Sequence, residues 1–259
     1  MIDAWLRLPA TGLFAVLIAV YAVTGLLWAW LSYRSPLSTR VRTLTGVVPP
    51  FIASIGILFS LLTGFLANDI ADRNRLATRA VNAEASAITS VNTLSLAVNS
   101  DMEAVRTALW SYAEAVVTDE WPKMAADLHS ARTDAALSTL LRKVSDAAVA
   151  QAAGQALHNN LLRSVINIRD ARADRLSLAS DRTNSLKWAT VLLLAMFTQL
   201  AIALVHLEQP RPQAAALFVF SLAVVITLGL IAMQEHPFQG ALRISSAPLQ
   251  KAISMILPP

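Results

Sequence analysis

The chain has 259 residues, is 55% hydrophobic, and carries a net charge of +4 from 21 Lys and Arg against 17 Asp and Glu, with a mean hydropathy of +0.52. That apolar share exceeds the level of ordinary soluble domains, and the lack of cysteine excludes disulfides, thiolate metal sites and thiol nucleophiles. The basic balance does not signal nucleic acid, because segment 67–187 balances 14 Lys and Arg against 14 Asp and Glu, and the surplus sits outside it at Arg7, Arg34, Arg40, Arg42, Arg211, Arg243 and Lys251.

Four runs, 13–32, 47–66, 188–207 and 214–233, contain no Asp, Glu, Lys or Arg. A helix of about 20 residues rises about 30 Å, the thickness of a bilayer's hydrocarbon core, so each run predicts a membrane span. The first run is too long for a signal-peptide core and ends in Trp28, Trp30 and Tyr33, an interfacial aromatic belt; it is expected to stay as a permanent helix. The basic residues outside segment 67–187 flank these spans, where topology and lipid headgroups favour them.

The second run carries Gly56, Ser60 and Gly64 at every fourth position, a small-residue strip of the kind that lets helix backbones approach closely. Beside it runs an apolar ladder, Ile57, Leu61 and Phe65, followed by the polar group Asn68, Asp69, Asp72 and Arg73. Such a ladder can simply face lipid. If copies of the helix ring an axis, the strip becomes the contact seam and the ladder a hydrophobic constriction that gates by dewetting.

No Pro or Gly interrupts 67–98, so the second span is predicted to run on as one long helix. Ser100-Asp101-Met102-Glu103 has capping-box spacing with Ser100 as N-cap. The next helix presents Val105, Leu109, Tyr112 and Val116 as a stripe and is expected to end at the corner Glu120-Trp121-Pro122. A shorter helix is predicted over 133–143. A last one should run from about Asp146 to Lys187 and feed the third span directly, with Leu161, Leu162, Val165, Ile168 and Leu176 as its apolar edge. Its run Arg169, Asp170, Arg172, Asp174, Arg175 reads as a solvated face with local ion pairs or as an intersubunit network lining a vestibule. Gln199 lies mid-span and reads as an interhelical hydrogen bond or as pore lining.

The organisation is thus a first transmembrane hairpin over 1–66, a helical bundle over 67–187, a second hairpin over 188–233 and a tail over 234–259. Ten Lys and Arg near span ends on the bundle's side of the membrane, against four on the other, favour a cytosolic bundle with both termini on the same side. None of the four His falls in a metal-binding spacing, and no nucleophile elbow, phosphate-cradling loop or dinucleotide fingerprint occurs. Catalytic residues, cofactor and metal are therefore not expected.

Ser60-Leu61-Leu62-Thr63-Gly64-Phe65, followed by Asn68, Asp72 and Arg73, resembles the second-span signature of bestrophin channels and their bacterial relatives. A closer likeness is to a bacterial family of bestrophin-like membrane proteins, carried by Tyr112, Val116-Val117, Glu120-Trp121-Pro122-Lys123-Met124, Arg169 to Arg175-Leu176, and Pro237-Phe238-Gln239-Gly240, in order over about 47–252. The resemblance implies four spans, cytosolic termini, a helical cytosolic body, a homopentamer, and a pore neck at Ile57, Leu61 and Phe65. The chain departs from the animal members after Gly240, where Ala241-Leu242-Arg243 replaces a calcium-clasping acidic run, so a calcium switch is not implied. Its Arg73-Asn74-Arg75 also replaces the usual Arg-Trp corner.

The expectation is an all-α polytopic protein forming an oligomeric ion channel for monovalent ions, with Asn68, Asp69, Asp72 and Arg73 at the cytosolic mouth. Its partners are the lipid bilayer and further copies of itself. The other reading is a membrane sensor or scaffold that signals or docks partners through the bundle.

Overall fold

The computed structural model describes residues 2–44, 49–98, 102–126 and 128–256. Every regular element among the described residues is helical, without a strand: α1 (Ile2–Leu6), α2 (Ala10–Tyr33), α3 (Ser38–Arg42), α4 (Pro49–Leu96), α5 (Glu103–Ala115), a π-turn (Val116–Glu120), α6 (Trp121–Ala125), α7 (Ala131–Val144), α8 (Ala147–Ser180), α9 (Ser185–Val205), α10 (Pro210–Ala232) and α11 (Ala247–Met255). Helices α2, α4, α9 and α10 are long and apolar enough to cross a membrane. The expected N-cap Ser100 with Asp101, and the start of the second span at Val47, lie outside the described residues.

The chain divides into two compact units, one from Met1–Asp72, Arg182–His236 and Gly240–Leu242, the other from Arg73–Asp181, Pro237–Gln239 and Arg243–Pro259. The first unit packs the apolar helices around Leu13, Leu17, Tyr21, Leu66, Trp188 and Leu228. Trp5 stacks edge-on against Trp188, with centroids 5.4 Å apart, and donates its indole N–H to the Leu13 carbonyl. Helices α2 and α10 approach so closely that a Cβ on Gly229 would overlap the Phe14 ring. The second unit buries Ile88 and Val91 of α4 with Leu109, Tyr112, Leu140, Leu161, Val165 and Ile168. The stripe Val105, Leu109, Tyr112, Val116 is buried as its spacing predicts.

Three expectations about the helical segment are corrected. The helix after Val105 does not end at Glu120-Trp121-Pro122 but continues through the π-turn into α6. The wider turn immediately precedes Pro122, whose ring and missing N–H do not fit a regular α-helical turn. The helix from Asp146 breaks at Gly154, at φ +72°, a conformation other side chains rarely adopt. That helix also stops at Ser180 instead of feeding the third span. Glu235 accepts the Thr183 N–H at 2.8 Å, and the Asn184 side chain accepts the Leu186 N–H at 2.9 Å, so a new helix is capped at Asn184. Similar caps start α7, where Ser130 accepts from Thr133, and α8, where Asp146 accepts from Ala148.

Candidate functional site

The membrane half of α4 has two distinct faces. Phe59, Leu62, Thr63 and Leu66 turn toward the unit's own core, where Phe59 meets Phe220 edge-on with centroids 6.0 Å apart. On the other side Ile57, Leu61 and Phe65 are 66%, 50% and 58% exposed. Residues four apart drift about 40° on a helix, so the three form one slanting ladder. Gly56, Ser60 and Gly64 border it, and a Cβ added at Gly56 or Gly64 would meet nothing within 4 Å. Ladder and strip therefore share a face that no other described residue covers.

The polar residues after the ladder are engaged. The Asn68 amide donates to Asp72 Oδ2 at 3.0 Å along α4. Lys187, at the start of α9, donates to Asp69. In the second unit Arg73, largely buried, lies 3.5 Å from Asp181. Half-exposed Asp69 thus carries a counter-cation, which weakens the field that two bare carboxylates would give.

Sequence reading missed the densest ionic cluster, in the second unit. Arg175 of α8 has no solvent exposure. It donates Nε to Glu84 Oε2 at 2.7 Å, Nη2 to Glu84 Oε1 at 3.1 Å and to Glu120 Oε1 at 2.7 Å, and Nη1 to the Met124 sulfur at 3.3 Å. Arg172, one turn earlier, donates its Nε to Glu120 Oε2 at 2.9 Å and its Nη2 to the same carboxylate, and reaches Asp134 Oδ1 at 2.7 Å. Tyr112 donates its hydroxyl to Glu84 Oε1 at 2.6 Å. Two buried guanidinium groups meet two buried carboxylates, and nearly every donor has an acceptor, which is what such burial requires. Burial raises the Tyr112 phenol well above its ordinary value, and the Glu84 charge adds to this. Burial alone would raise Asp134, but the hydrogen bond and charge of Arg172 hold it below the usual carboxylate range.

Neither sequence-level reading of the Arg169–Arg175 run describes Arg172 and Arg175. They are buried within one chain, while Arg169, Asp170 and Asp174 stay solvated. The signal available in the sequence was Glu84, a lone acid among Ala83, Ala85 and Ala87 on a helix whose apolar face continues on both sides. Trp121 of the expected corner lies under the Arg175 guanidinium, 5.5 Å from centroid to carbon, and edge-on to buried Phe238 at 5.6 Å. The Glu-Trp-Pro and Pro-Phe-x-Gly motifs thus meet through Trp121 and Phe238. Gln199 is buried and hydrogen-bonded across helices, accepting from Thr24 and donating to Ser221 and the Tyr21 carbonyl, which is the first of its two readings.

A family model for the bestrophin-like domain matches residues 19–249. Among solved structures, a substituted form of a bacterial bestrophin homolog from Klebsiella pneumoniae superposes with a TM-score of 0.75 at 12% identity, covering 94% of this chain and 97% of that one. Another substituted form of it gives 0.72 at 12% identity with the same coverage. A structure described as a membrane protein gives 0.73 at 12% identity, again covering 94% and 97%. At these identities the likeness is one of fold. No curated protein matches the chain.

Proposed function

The chain belongs to the bestrophin-like family, and on that premise we propose that copies of it assemble into an ion channel whose pore is lined by α4. The observation that carries this reading is the uncovered face of α4, where Ile57, Leu61 and Phe65 stand in line, all exposed, beside a smooth strip at Gly56, Ser60 and Gly64. When several helices ring an axis, the strip supplies close backbone contact and the ladder a narrow apolar tube that excludes water and ions until it widens. Asn68, Asp69, Asp72 and Arg73 follow on the same helix and set the field at the mouth for monovalent ions. Charge asymmetry at the span ends supports a cytoplasmic side for this mouth, the helical segment and both termini, and the family likeness supports a bacterial inner membrane. The resemblance suggests five copies. The chain acts as a conduit and not as an enzyme.

Assembly is testable at Gly64. Since a Cβ there meets nothing within 4 Å among the described residues, Gly64→Leu points into open space on the single chain and overfills a seam between copies, at about 1–3 kcal/mol per contact. Light scattering of the detergent-solubilised protein should report a ring for the wild type and smaller species for Gly64→Leu. A monodisperse monomer in the wild type would remove the basis for a pore.

A further inference from the structure

A groove of about 390 Å³ runs between α2 and α10 in the first unit. It stays open because α2 lines it with the small residues Ala22, Gly25 and Ala29, opposite Leu217, Phe218 and Ser221 of α10. Behind Gly25 lies the amide of Gln199, and every polar atom there is already engaged. Gln199 Nε2 donates to the Tyr21 carbonyl at 3.1 Å and to Ser221 Oγ at 2.8 Å, Gln199 Oε1 accepts from Thr24, and Ser221 donates to the Leu217 carbonyl. The walls therefore offer an occupant carbon surface and no free hydrogen bond, which suits a hydrocarbon chain. On α10 the lining runs from Ala214 to Val225. The eleven steps between them rise about 16 Å, half of a hydrocarbon core of about 30 Å, so the groove matches a single leaflet.

Its outer end is basic. Tyr33 at the end of α2 donates to the His206 carbonyl at 3.0 Å, and Gln213 near the start of α10 reaches Ser32 at 3.4 Å, so these two helix ends lie together. Arg34 follows Tyr33, about 7.5 Å along the axis from Ala29, and Arg211 lies about 4.5 Å beyond Ala214. Both are exposed, and neither is ion-paired among the described residues. Arg40 and Arg42 of α3 are exposed as well, with Arg42 over the Tyr33 ring at 5.7 Å. The acid at this end is exposed Glu208, so four Arg minus one Glu leave +3. Guanidinium groups match phosphate geometry with paired N–H donors, so a basic end beside an apolar groove suits a phosphate headgroup.

We propose that the α2–α10 groove together with Arg34 and Arg211 binds one anionic phospholipid, with an acyl chain in the groove and the phosphate on the guanidinium groups. The site is independent of conduction. Native mass spectrometry of the full-length protein, with phosphatidylglycerol and phosphatidylcholine at equal concentration in the detergent, tests it. The wild type retains phosphatidylglycerol preferentially. Arg34→Gln with Arg211→Gln, both at exposed positions, lowers that preference about tenfold or more, as expected for the loss of at least one charge-assisted hydrogen bond to the phosphate. Ala22→Phe fills the groove and lowers retention of both lipids. Equal retention of the two lipids by the wild type, or an undiminished preference in the double variant, overturns the proposal. So does competition by glycerol phosphate as effective as that by phosphatidylglycerol, since the groove would then be idle. Disulfide-linked copies formed through Leu222→Cys, in a chain without other cysteines, would assign the groove to a second copy and equally overturn it.

Discussion

Glu84→Ala will destabilise the second unit by about 3–5 kcal/mol, the range for removing one partner of a buried ion pair. The substitution leaves Arg175 with no solvent and with Glu120 as its one remaining carboxylate, and it strips the Tyr112 hydroxyl of its acceptor. The loss falls on a centre that joins α4, α5, the π-turn, α6 and α8, since Glu84, Tyr112, Glu120, Met124 and Arg175 come one from each. Hydrogen exchange should show the amides of 105–124 and 161–176 opening together. Arg169→Ala, three residues before Arg172 but solvated, should change stability by less than about 0.5 kcal/mol. Equal, small effects from both substitutions would mean that the buried cluster is not what holds these helices together.

The triple change Ile57→Ala, Leu61→Ala and Phe65→Ala is expected to raise ion flux through reconstituted vesicles. Each of these side chains stands on the uncovered face of α4, so their truncation removes little packing within the chain. In the pore it widens an apolar tube, and dewetting depends steeply on radius. A barrier lowered by only about 1.4 kcal/mol raises flux about tenfold. Asp69→Asn should instead alter the ratio of cation to anion flux, because it removes the partner of Lys187 and leaves that cation bare. Unchanged flux in the triple variant, with the ring intact by light scattering, would mean that the ladder faces lipid.

What the sequence made legible follows from periodicity and charge. The four apolar spans, the long α4 and the buried stripe from Val105 to Val116 each depend on residues close in the chain, so their spacing suffices to reveal them. What escaped depends on distant partners. Glu84 and Arg175 are 91 residues apart, and Glu120 and Arg172 are 52 apart. A charge on a helix surface and a charge buried against a remote carboxylate look alike in one dimension, which is why the Arg169–Arg175 run read as solvated or intersubunit. The break before α9 has the same origin, because the Thr183 N–H leaves the helix for Glu235, 52 residues onward. The pairing of Trp121 with Phe238 gives a physical meaning to two motifs that carried the family likeness but had no visible link.

The central claim is that α4 lines an ion pathway, and a single introduced thiol tests it most directly in a chain with no cysteine of its own. Leu61→Cys is reconstituted in a planar bilayer, and current is recorded before and after a cationic methanethiosulfonate reagent is added. Phe197→Cys, at an exposed position of α9, serves as the comparison. The account predicts a current through Leu61→Cys that falls on modification, and a current through Phe197→Cys that does not. A current that survives modification of Leu61→Cys, or no current from a correctly assembled ring, would contradict it.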